Sequence, residues 1–425
     1  MSQIAITTLL NQTDSDVASY LEACVHCGEC AEACHFYQAT NDPKYTPTYK
    51  LWPLVKAYRR HKAPLRGIKG MLGLLPGELT EEELREWEPL IYDSCTMCGR
   101  CTVVCPMGID IAGTIRKVRE GYAAAEIIPE GLTQARKNVE ATSSPMGVTS
   151  RALLKQIEHQ EEETGLKIPV NVEGADYLAI LSSHEIMASP EIIGAYARIF
   201  RKAGLSWTIS TEAYEATNVG VQIGSAPLAK QLVQRVVDEA ERLGVKYVIS
   251  PECGHAYGAI RWAGPNLLGR PFKFDVVHIV ELLDKLRREG RIPPGKKDER
   301  RMTLHDPCQL IRRGGLLKEP RRLLDDSCSD FVETEGSGIA NLCCGGGGGV
   351  SANSRAEELM IKAFGIKLEQ IDKLGEIDAV VVPCANCRGV FEDGLFEYDR
   401  EELEVISLAQ MVADTLAEDA PAAKG

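Results

Sequence analysis

The sequence predicts a multidomain protein of the α+β class, in which a helical amino-terminal domain precedes two α/β domains related by duplication. Its 425 residues are enough for several domains with hydrophobic cores. The 15 cysteines fall into two groups, one before residue 106 and one after residue 252. A helix, a glycine, a strand and a cysteine follow one another twice in the second half. We place the domains at residues 1–150, 171–291 and 299–418.

The repeat in the second half is defined by equal spacing. Its first copy runs through Leu243, Gly244, residues 245–249 and Cys253, and its second through Leu374, Gly375, residues 379–382 and Cys384. Glycine after a periodic apolar segment is typical of a helix end, and the short apolar run that follows is typical of a buried strand. Helices that alternate with strands favour mainly parallel sheets.

Composition and charge exclude several classes of function. With 44% hydrophobic and 26% charged residues the chain has the composition of an ordinary globular protein. A net charge of -13 argues against non-specific nucleic-acid binding. We find neither a leader pattern nor an apolar stretch of about 20 residues, so we expect a cytoplasmic chain without its own transmembrane segment. Residues 142–150, 158–165 and 292–299 are predicted connectors.

Two cysteine runs in the first domain have the spacing of a two-cluster ferredoxin. They are Cys24-x2-Cys27-x2-Cys30-x3-Cys34 and Cys95-x2-Cys98-x2-Cys101-x3-Cys105, the second followed by Pro106 and the first by His35. In such proteins the fourth cysteine of each run reaches the other cluster. The spacing therefore predicts one cubane [4Fe-4S] cluster on Cys24, Cys27, Cys30 and Cys105 and another on Cys95, Cys98, Cys101 and Cys34. Two structural zinc sites are the alternative, although zinc has no need of such regular triplets.

The segment between the two runs is unusually basic. From Lys44 to Lys69 it holds eight lysines and arginines and no acidic residue, interleaved with aromatic residues. Two interpretations stay open: a solvated helix face, or a docking face for an anionic or membrane-embedded partner.

A third set of cysteines lies in the last domain. It consists of Cys308, the adjacent Cys343 and Cys344, and Cys384-x2-Cys387, in the settings HDPC, CCGGGGG and PCANC. Five thiolates exceed the needs of a cubane, and neighbouring cysteines suit two irons of an opened cluster better than one tetrahedral zinc. The glycine run offers backbone N–H groups, but it lacks the Gly-Lys-Ser/Thr ending of a phosphate loop.

This arrangement resembles the cysteine-rich CCG domain of heterodisulfide reductase catalytic subunits. Joined to an amino-terminal two-cluster ferredoxin domain, it is similar to the fused D-type subunit of those enzymes, and the segments CVHCGECAEACHFY and DPKYTP are most similar to the DsrK and TmcB branch. The resemblance implies two CCG-type α/β domains and a noncubane [4Fe-4S] cluster on Cys308, Cys343, Cys344, Cys384 and Cys387. At that cluster a disulfide or trisulfide would be cleaved or formed.

The resemblance also implies partners and a location. A cytochrome b-like or quinone-reactive membrane subunit would exchange electrons with this chain. The sulfur substrate would be a heterodisulfide, or a disulfide or trisulfide on a small DsrC-like carrier protein. The chain would then lie at the inner face of the cytoplasmic membrane, held there by its partner subunits.

The first copy of the repeat lacks the ligands of the second. Cys253 aligns with Cys384, but Ala256 stands where Cys387 would be, and Asn218-Val219 stands in place of the cysteine pair. We therefore expect one special cluster. In the PECGHAYG motif, either Cys253 or His255 is a thiol or proton relay beside the cluster, or Cys253 is an inert buried cysteine.

Several polar residues near these cysteines are candidates for acid–base or binding roles. His305 and Asp306 either supply protons to a leaving thiolate or pack at a strand end. Arg312, Arg313 and Arg388 either orient an acidic peptide substrate or remain solvated. Cys328 receives no role.

An alternative function uses the same cofactors without sulfur chemistry. The chain would then be an electron-transfer subunit of a flavin-dependent 2-hydroxyacid or glycerol-3-phosphate dehydrogenase complex. No GxGxxG fingerprint follows a predicted strand, so a flavin would belong to a partner. A zinc-based scaffold protein is a third interpretation.

Overall fold

A computed structural model describes residues 1–215 and 218–417, which form two compact units. The helical unit comprises Met1–Lys137, Asn218–Gln231 and Ile339–Leu368. The sheet unit comprises the described parts of Asn138–Thr217, Leu232–Gly338 and Glu369–Gly425. Residue 418, where the third predicted domain ends, lies outside the described residues. Within the described chain, none of the helices combines the length and the apolar character needed to cross a bilayer.

The first part of the chain is helical. Helices α1 to α11 span Ser2–Asn11, Ser15–Ala23, Glu29–Glu32, His35–Thr40, Trp52–His61, Arg66–Met71, Glu81–Tyr92, Arg100–Val103, Ile111–Ala124, Glu130–Thr142 and Ser150–Thr164, with 3₁₀ turns at Pro43–Tyr45 and Tyr49–Leu51. Polar caps fix several starts: Asp14 accepts from Val17 N, and Thr80 and Glu83 form a capping box.

Close packing joins α1 to α9 in the helical unit. Ala5 and Leu9 of α1 are fully buried, and a Cβ atom at Gly121 of α9 would lie 2.6 Å from Leu9 Cγ. Only glycine allows this approach, because any larger residue would push the helices apart.

The acidic run at residues 158–165 was predicted to be a connector, and that prediction is wrong. Its residues to Thr164 form the second half of α11, which Thr149 caps. Leu153, Ile157 and Gln160 form the buried face of this helix, so the acidic residues occupy its outer side. Gly165, in the left-handed region at φ 66°, ends it.

The described part of the sheet unit contains two four-stranded parallel sheets. Strands β1 to β4 are Tyr177–Ala179, Trp207–Thr208, Tyr247–Ser250 and Asp275–His278, in the order β2-β1-β3-β4. Strands β5 to β8 are Asp298–Leu304, Cys328–Val332, Ala379–Val381 and Glu404–Ile406, in the order β6-β5-β7-β8. The two orders are equivalent, which confirms the predicted fold class with its pair of related α/β modules.

The second part of the chain contains further helices, which are divided between the two units. Helices α12 to α22 span Ser183–Met187, Glu191–Lys202, Val219–Ile223, Ala226–Leu243, Gly254–Gly258, Gly264–Leu268, Ile279–Arg288, Glu319–Ser327, Glu357–Asp372, Ala385–Glu397 and Leu408–Asp414; a π-helical turn spans Ala259–Ala263, and 3₁₀ turns span Gly338–Ala340, Val350–Ala352 and Ser354–Ala356. Aliphatic residues of both sheets share one buried core. Cys328 belongs to this framework, because it is buried on β6 and its thiol donates to Arg300 O at 3.5 Å.

Candidate iron-sulfur and thiol sites

Four cysteines line one cavity of the helical unit. These are Cys24, Cys27, Cys30 and Cys105. His26 at φ 54° and Gly28 at φ 89° turn the loop back on itself before α3 begins, which lets closely spaced cysteines face the same space. The grouping matches the predicted set in which Cys105 crosses from the other run.

A second cavity has an equivalent wall. Cys34, Cys95, Cys98 and Cys101 line it, and here Met97 at φ 55° and Gly99 at φ 79° shape the loop before α8. The two loops are therefore structural copies of each other. Each cavity offers four sulfur atoms, the donor set that a cubane cluster requires.

Buried cations distinguish the second cavity. Lys50 lines it and donates to Ser94 O, while Arg119, fully buried, donates to Ile91 O and Cys95 O. Burial raises the pKa of the Cys95 thiol, whereas the charges of Lys50 and Arg119 act in the opposite direction. A buried cation is costly without a nearby anion, so this environment suits a negatively charged group bound to thiolates.

The paired cysteines and their glycine run pack beside this second cavity, within the helical unit. Cys343 Sγ lies 3.5 Å from Thr96 Oγ1, and Arg119 also donates to Gly348 O. Gly348 has φ 64°, and a Cβ atom there would lie 2.8 Å from the carbonyl of Thr96. The glycine run therefore permits a backbone contact that no other residue type would allow.

The remaining predicted ligands lie at the carboxyl ends of strands in the sheet unit. Cys308 follows β5, and Cys384 follows β7 as the N-cap residue of α21, with Cys387 in the first turn. A hydrogen bond from Cys387 is the largest influence on Cys384 and lowers the pKa of its thiol. All three side chains are buried. Cys343 and Cys344 are part of the helical unit, so the five-cysteine set stays a prediction.

Cys253 occupies the matching position after β3. It is half-buried, and burial followed by the charge of Cys384 raises the pKa of its thiol. Next to it, a Cβ atom at Gly254 would lie 2.5 Å from Leu310 N. The loop that carries Cys253 therefore packs tightly against the loop that follows Cys308.

A buried polar network, which the sequence analysis missed, joins the two strand ends. Glu252, fully buried, accepts hydrogen bonds from Arg388, Ser407 Oγ and Ala409 N, and its backbone oxygen accepts from Ala385 N at 2.7 Å. The sequence led us to expect that Arg388 would orient a substrate or remain solvated, but Arg388 is 4% exposed and paired with Glu252. In the sequence, the position of Glu252 directly before Cys253 was the signal that could have indicated this network.

His305 and Asp306 of the HDPC motif have different surroundings. Asp306 accepts two hydrogen bonds from Arg321, at 3.0 and 2.9 Å, and a third from Gly338 N, which makes it a structural anchor. His305 is buried with its ring centre 4.9 Å from that of Phe391. His305 stays a predicted proton donor, whereas the carboxylate of Asp306 is held by the hydrogen bonds from Arg321 and Gly338.

Two family models match separate parts of this chain. Residues 20–109 match the family described as 4Fe-4S dicluster domain, and residues 302–392 match the family described as cysteine-rich domain, CCG. Similarity extends over nearly the whole chain to Hdr-like menaquinol oxidoreductase iron-sulfur subunit 2 of Archaeoglobus fulgidus, with 28% identity over 93% of this chain and 80% of that protein.

Two further relatives differ in name. The D-type subunit of dihydromethanophenazine:CoB–CoM heterodisulfide reductase from Methanosarcina barkeri is 26% identical over 93% of this chain and 94% of its own length. EtfAB:quinone oxidoreductase of Syntrophomonas wolfei is 27% identical over 92% of this chain and 58% of its own length. These findings confirm the resemblance to the D-type subunit and support an iron-sulfur oxidoreductase; the DsrK and TmcB branch stays a prediction.

Proposed function

We propose that this chain moves electrons between a quinone-reactive or cytochrome b-like membrane partner and a disulfide or trisulfide, which is reduced or formed at a noncubane [4Fe-4S] cluster. The observation that carries the proposal is the contact between the glycine run and the second ferredoxin-type loop. Through it the thiol of Cys343 lies 3.5 Å from Thr96, next to Cys95 in sequence. A short route for electrons then leads from the second cubane to the paired cysteines.

The proposed ligands follow the cysteine groups described above. Cys24, Cys27, Cys30 and Cys105 would hold the first cubane, Cys34, Cys95, Cys98 and Cys101 the second, and Cys308, Cys343, Cys344, Cys384 and Cys387 the noncubane cluster. The four-sulfur cavities support the first two sets. The match of residues 302–392 to the cysteine-rich family supports the third.

When bound, the clusters would supply single-electron steps and the iron that bonds the substrate sulfur. Reduction of one disulfide to two thiols consumes two electrons and two protons. We assign proton donation to the His305 imidazole and a relay role to the Cys253 thiol. Glu252 and Arg388 would act by positioning, because their buried pair fixes the start of α21.

The proposed partners are a membrane subunit that exchanges electrons with a quinone, and a small sulfur-carrier protein or thiol substrate. Relatives named as menaquinol oxidoreductase and dihydromethanophenazine reductase subunits support the first. The chain would then work at the inner, cytoplasmic face of the membrane. No nucleic acid takes part in this scheme.

The test is electron paramagnetic resonance of the anaerobically purified, oxidised protein before and after addition of a thiol. We expect about 12 irons per chain, four for each cluster, and a paramagnetic signal that changes with thiol. Cys384→Ser should abolish that signal and thiol–disulfide turnover while leaving both cubanes. Cys328→Ser is the matched control, since Cys328 is equally buried but lies on β6. Unchanged turnover in Cys384→Ser would contradict the proposal.

One relative favours a second candidate function. Because a protein named EtfAB:quinone oxidoreductase covers 92% of this chain, the chain can also be proposed as an electron-transfer subunit that serves a dehydrogenase without sulfur chemistry. In that case the thiol-sensitive signal would be absent, and electrons from a flavoprotein partner would reduce the cubanes in the absence of any disulfide.

A further inference from the structure

The most exposed apolar segment of the helical unit lies at residues 65–74, called here the apolar tip. Every residue from 64 to 74 is exposed. The exposed fractions of its five large apolar side chains are 68% for Leu65, 55% for Ile68, 87% for Met71, 64% for Leu72 and 66% for Leu74. Exposed apolar residues that cluster in this way mark interaction sites rather than ordinary surface.

The shape of the apolar tip favours a lipid bilayer as its partner rather than a protein. Helix α6 has only six residues, Arg66–Met71, and glycines 67, 70 and 73 alternate with the apolar side chains. Because all of these side chains are exposed, the apolar tip has no buried side of its own. A protein groove binds one apolar face of a longer helix. A lipid interface, in contrast, can bury apolar side chains that project from a short segment in several directions.

The charge around the apolar tip supplies the complementarity. Residues 44–77 contain no acidic residue, although the whole chain carries a net charge of -13. Several cations of this stretch are already engaged; Lys56 pairs with Glu83, and Arg60 pairs with Glu78. Arg66 and Lys69 are exposed, and neither forms an ion pair with an acidic residue in the described chain. Two unneutralised cations therefore flank the apolar side chains.

We propose that the apolar tip inserts into the interface of a bilayer containing anionic phospholipid, with Arg66 and Lys69 contacting lipid phosphates. At 1.5 Å per residue, α6 is about 9 Å long, and such a short helix can lie in the interface plane with its apolar side chains buried to roughly 5–10 Å. This contact goes beyond the proposed function, because it attaches the chain to lipid directly and requires no particular sulfur substrate.

The experiment is flotation of the full-length, cluster-containing protein with phosphatidylcholine vesicles, with and without phosphatidylglycerol. We expect binding to the anionic vesicles that weakens as salt is raised. Arg66→Gln with Lys69→Gln should weaken binding by about thirtyfold at low salt, and Met71→Ser with Leu72→Ser by roughly tenfold or more. All four positions are exposed, so iron content and circular dichroism should match those of the parent protein.

Phe396→Ser is the matched control, because Phe396 is 66% exposed but lies on α21 in the other unit. It should float like the parent, and so should Cys384→Ser, which separates this test from that of the proposed function. Absence of binding to anionic vesicles would overturn the proposal, as would flotation that neither double variant reduces. If the parent ignores vesicles but captures a detergent-solubilised membrane subunit through residues 65–74, the partner is a protein and the lipid proposal fails.

Discussion

Replacing Glu215 with glutamine should remove a protonated carboxyl group from the protein at neutral pH. Glu215 is 6% exposed and accepts a hydrogen bond from Ser183 Oγ, which is itself 2.6 Å from Ser144 Oγ. Burial is the largest cause that raises the pKa of Glu215 to about 8, and the hydrogen bond from Ser183 only partly offsets it. The group is electrostatically linked to Cys253, whose thiol pKa its charge raises.

The sign and size of the effect follow from linkage. Between an ordinary pKa of 4.5 and about 8, the folded protein keeps a proton that the unfolded chain has lost, so unfolding releases a proton. Stability therefore falls as pH rises through this window. At about 1.4 kcal/mol per pKa unit, the loss reaches at most about 5 kcal/mol above pH 8 and vanishes below about pH 4.5. Glutamine stays neutral, so E215Q should gain stability over the parent as pH rises.

Two measurements check this prediction. Infrared difference spectra at neutral pH should show a protonated carboxylic acid band in the parent that E215Q lacks. Anaerobic thermal unfolding at the two ends of the window should show E215Q gaining on the parent only at the alkaline end. Glu239→Gln is the control, because the pKa of Glu239 is shifted in the opposite direction. Glu239 is also 6% exposed, but its hydrogen bond from Arg242 lowers its pKa. An equal stability difference at both ends, or no carboxylic acid band, would refute the reasoning.

Further predictions concern the glycine run and the cysteine sets. Gly348→Ala should lower the iron content and cost at least about 2 kcal/mol, because its Cβ would meet the backbone of the second cysteine loop. Gly375→Ala, also at positive φ but with nothing within 4 Å, should cost only about 1 kcal/mol and keep all the iron; equal effects would argue against crowding. Cys34→Ser with Cys101→Ser should lose one cubane, since both line one cavity, whereas Cys34→Ser with Cys30→Ser should lose two. Iron counts and the cubane signals of the reduced protein measure how many clusters each double variant loses. An equal loss in both double variants would contradict the crossed arrangement.

Local signals in the sequence predicted the repeated architecture well. The leucine, glycine, strand and cysteine order placed β3 and β7 correctly, because a helix end and a short buried strand depend mainly on neighbouring residues. Cys34 and Cys105 line the cavities to which the ferredoxin spacing assigns them, and their role as cluster ligands stays a prediction.

Contacts between distant residues escaped prediction. Glu252 and Arg388 are 136 residues apart, and no local pattern shows that two such charges are buried together. The acidic end of α11 looked like a connector because its charges hid a narrow buried face that begins at Leu153. The packing of Gly348 on the second cysteine loop likewise depends on a fold that brings together segments about 250 residues apart.

The helical unit is assembled from three separate pieces of chain, and this limits how the gene can be divided. Cutting after Lys137 would isolate both ferredoxin-type loops, yet it would leave Gln222 O and Gly348 O, two of the carbonyl partners of Arg119, on the discarded fragment. A buried guanidinium deprived of these partners is strongly destabilising. Residues 1–137 should therefore fold poorly when expressed alone. Domain swaps between relatives should exchange residues 218–231 and 339–368 together with residues 1–137.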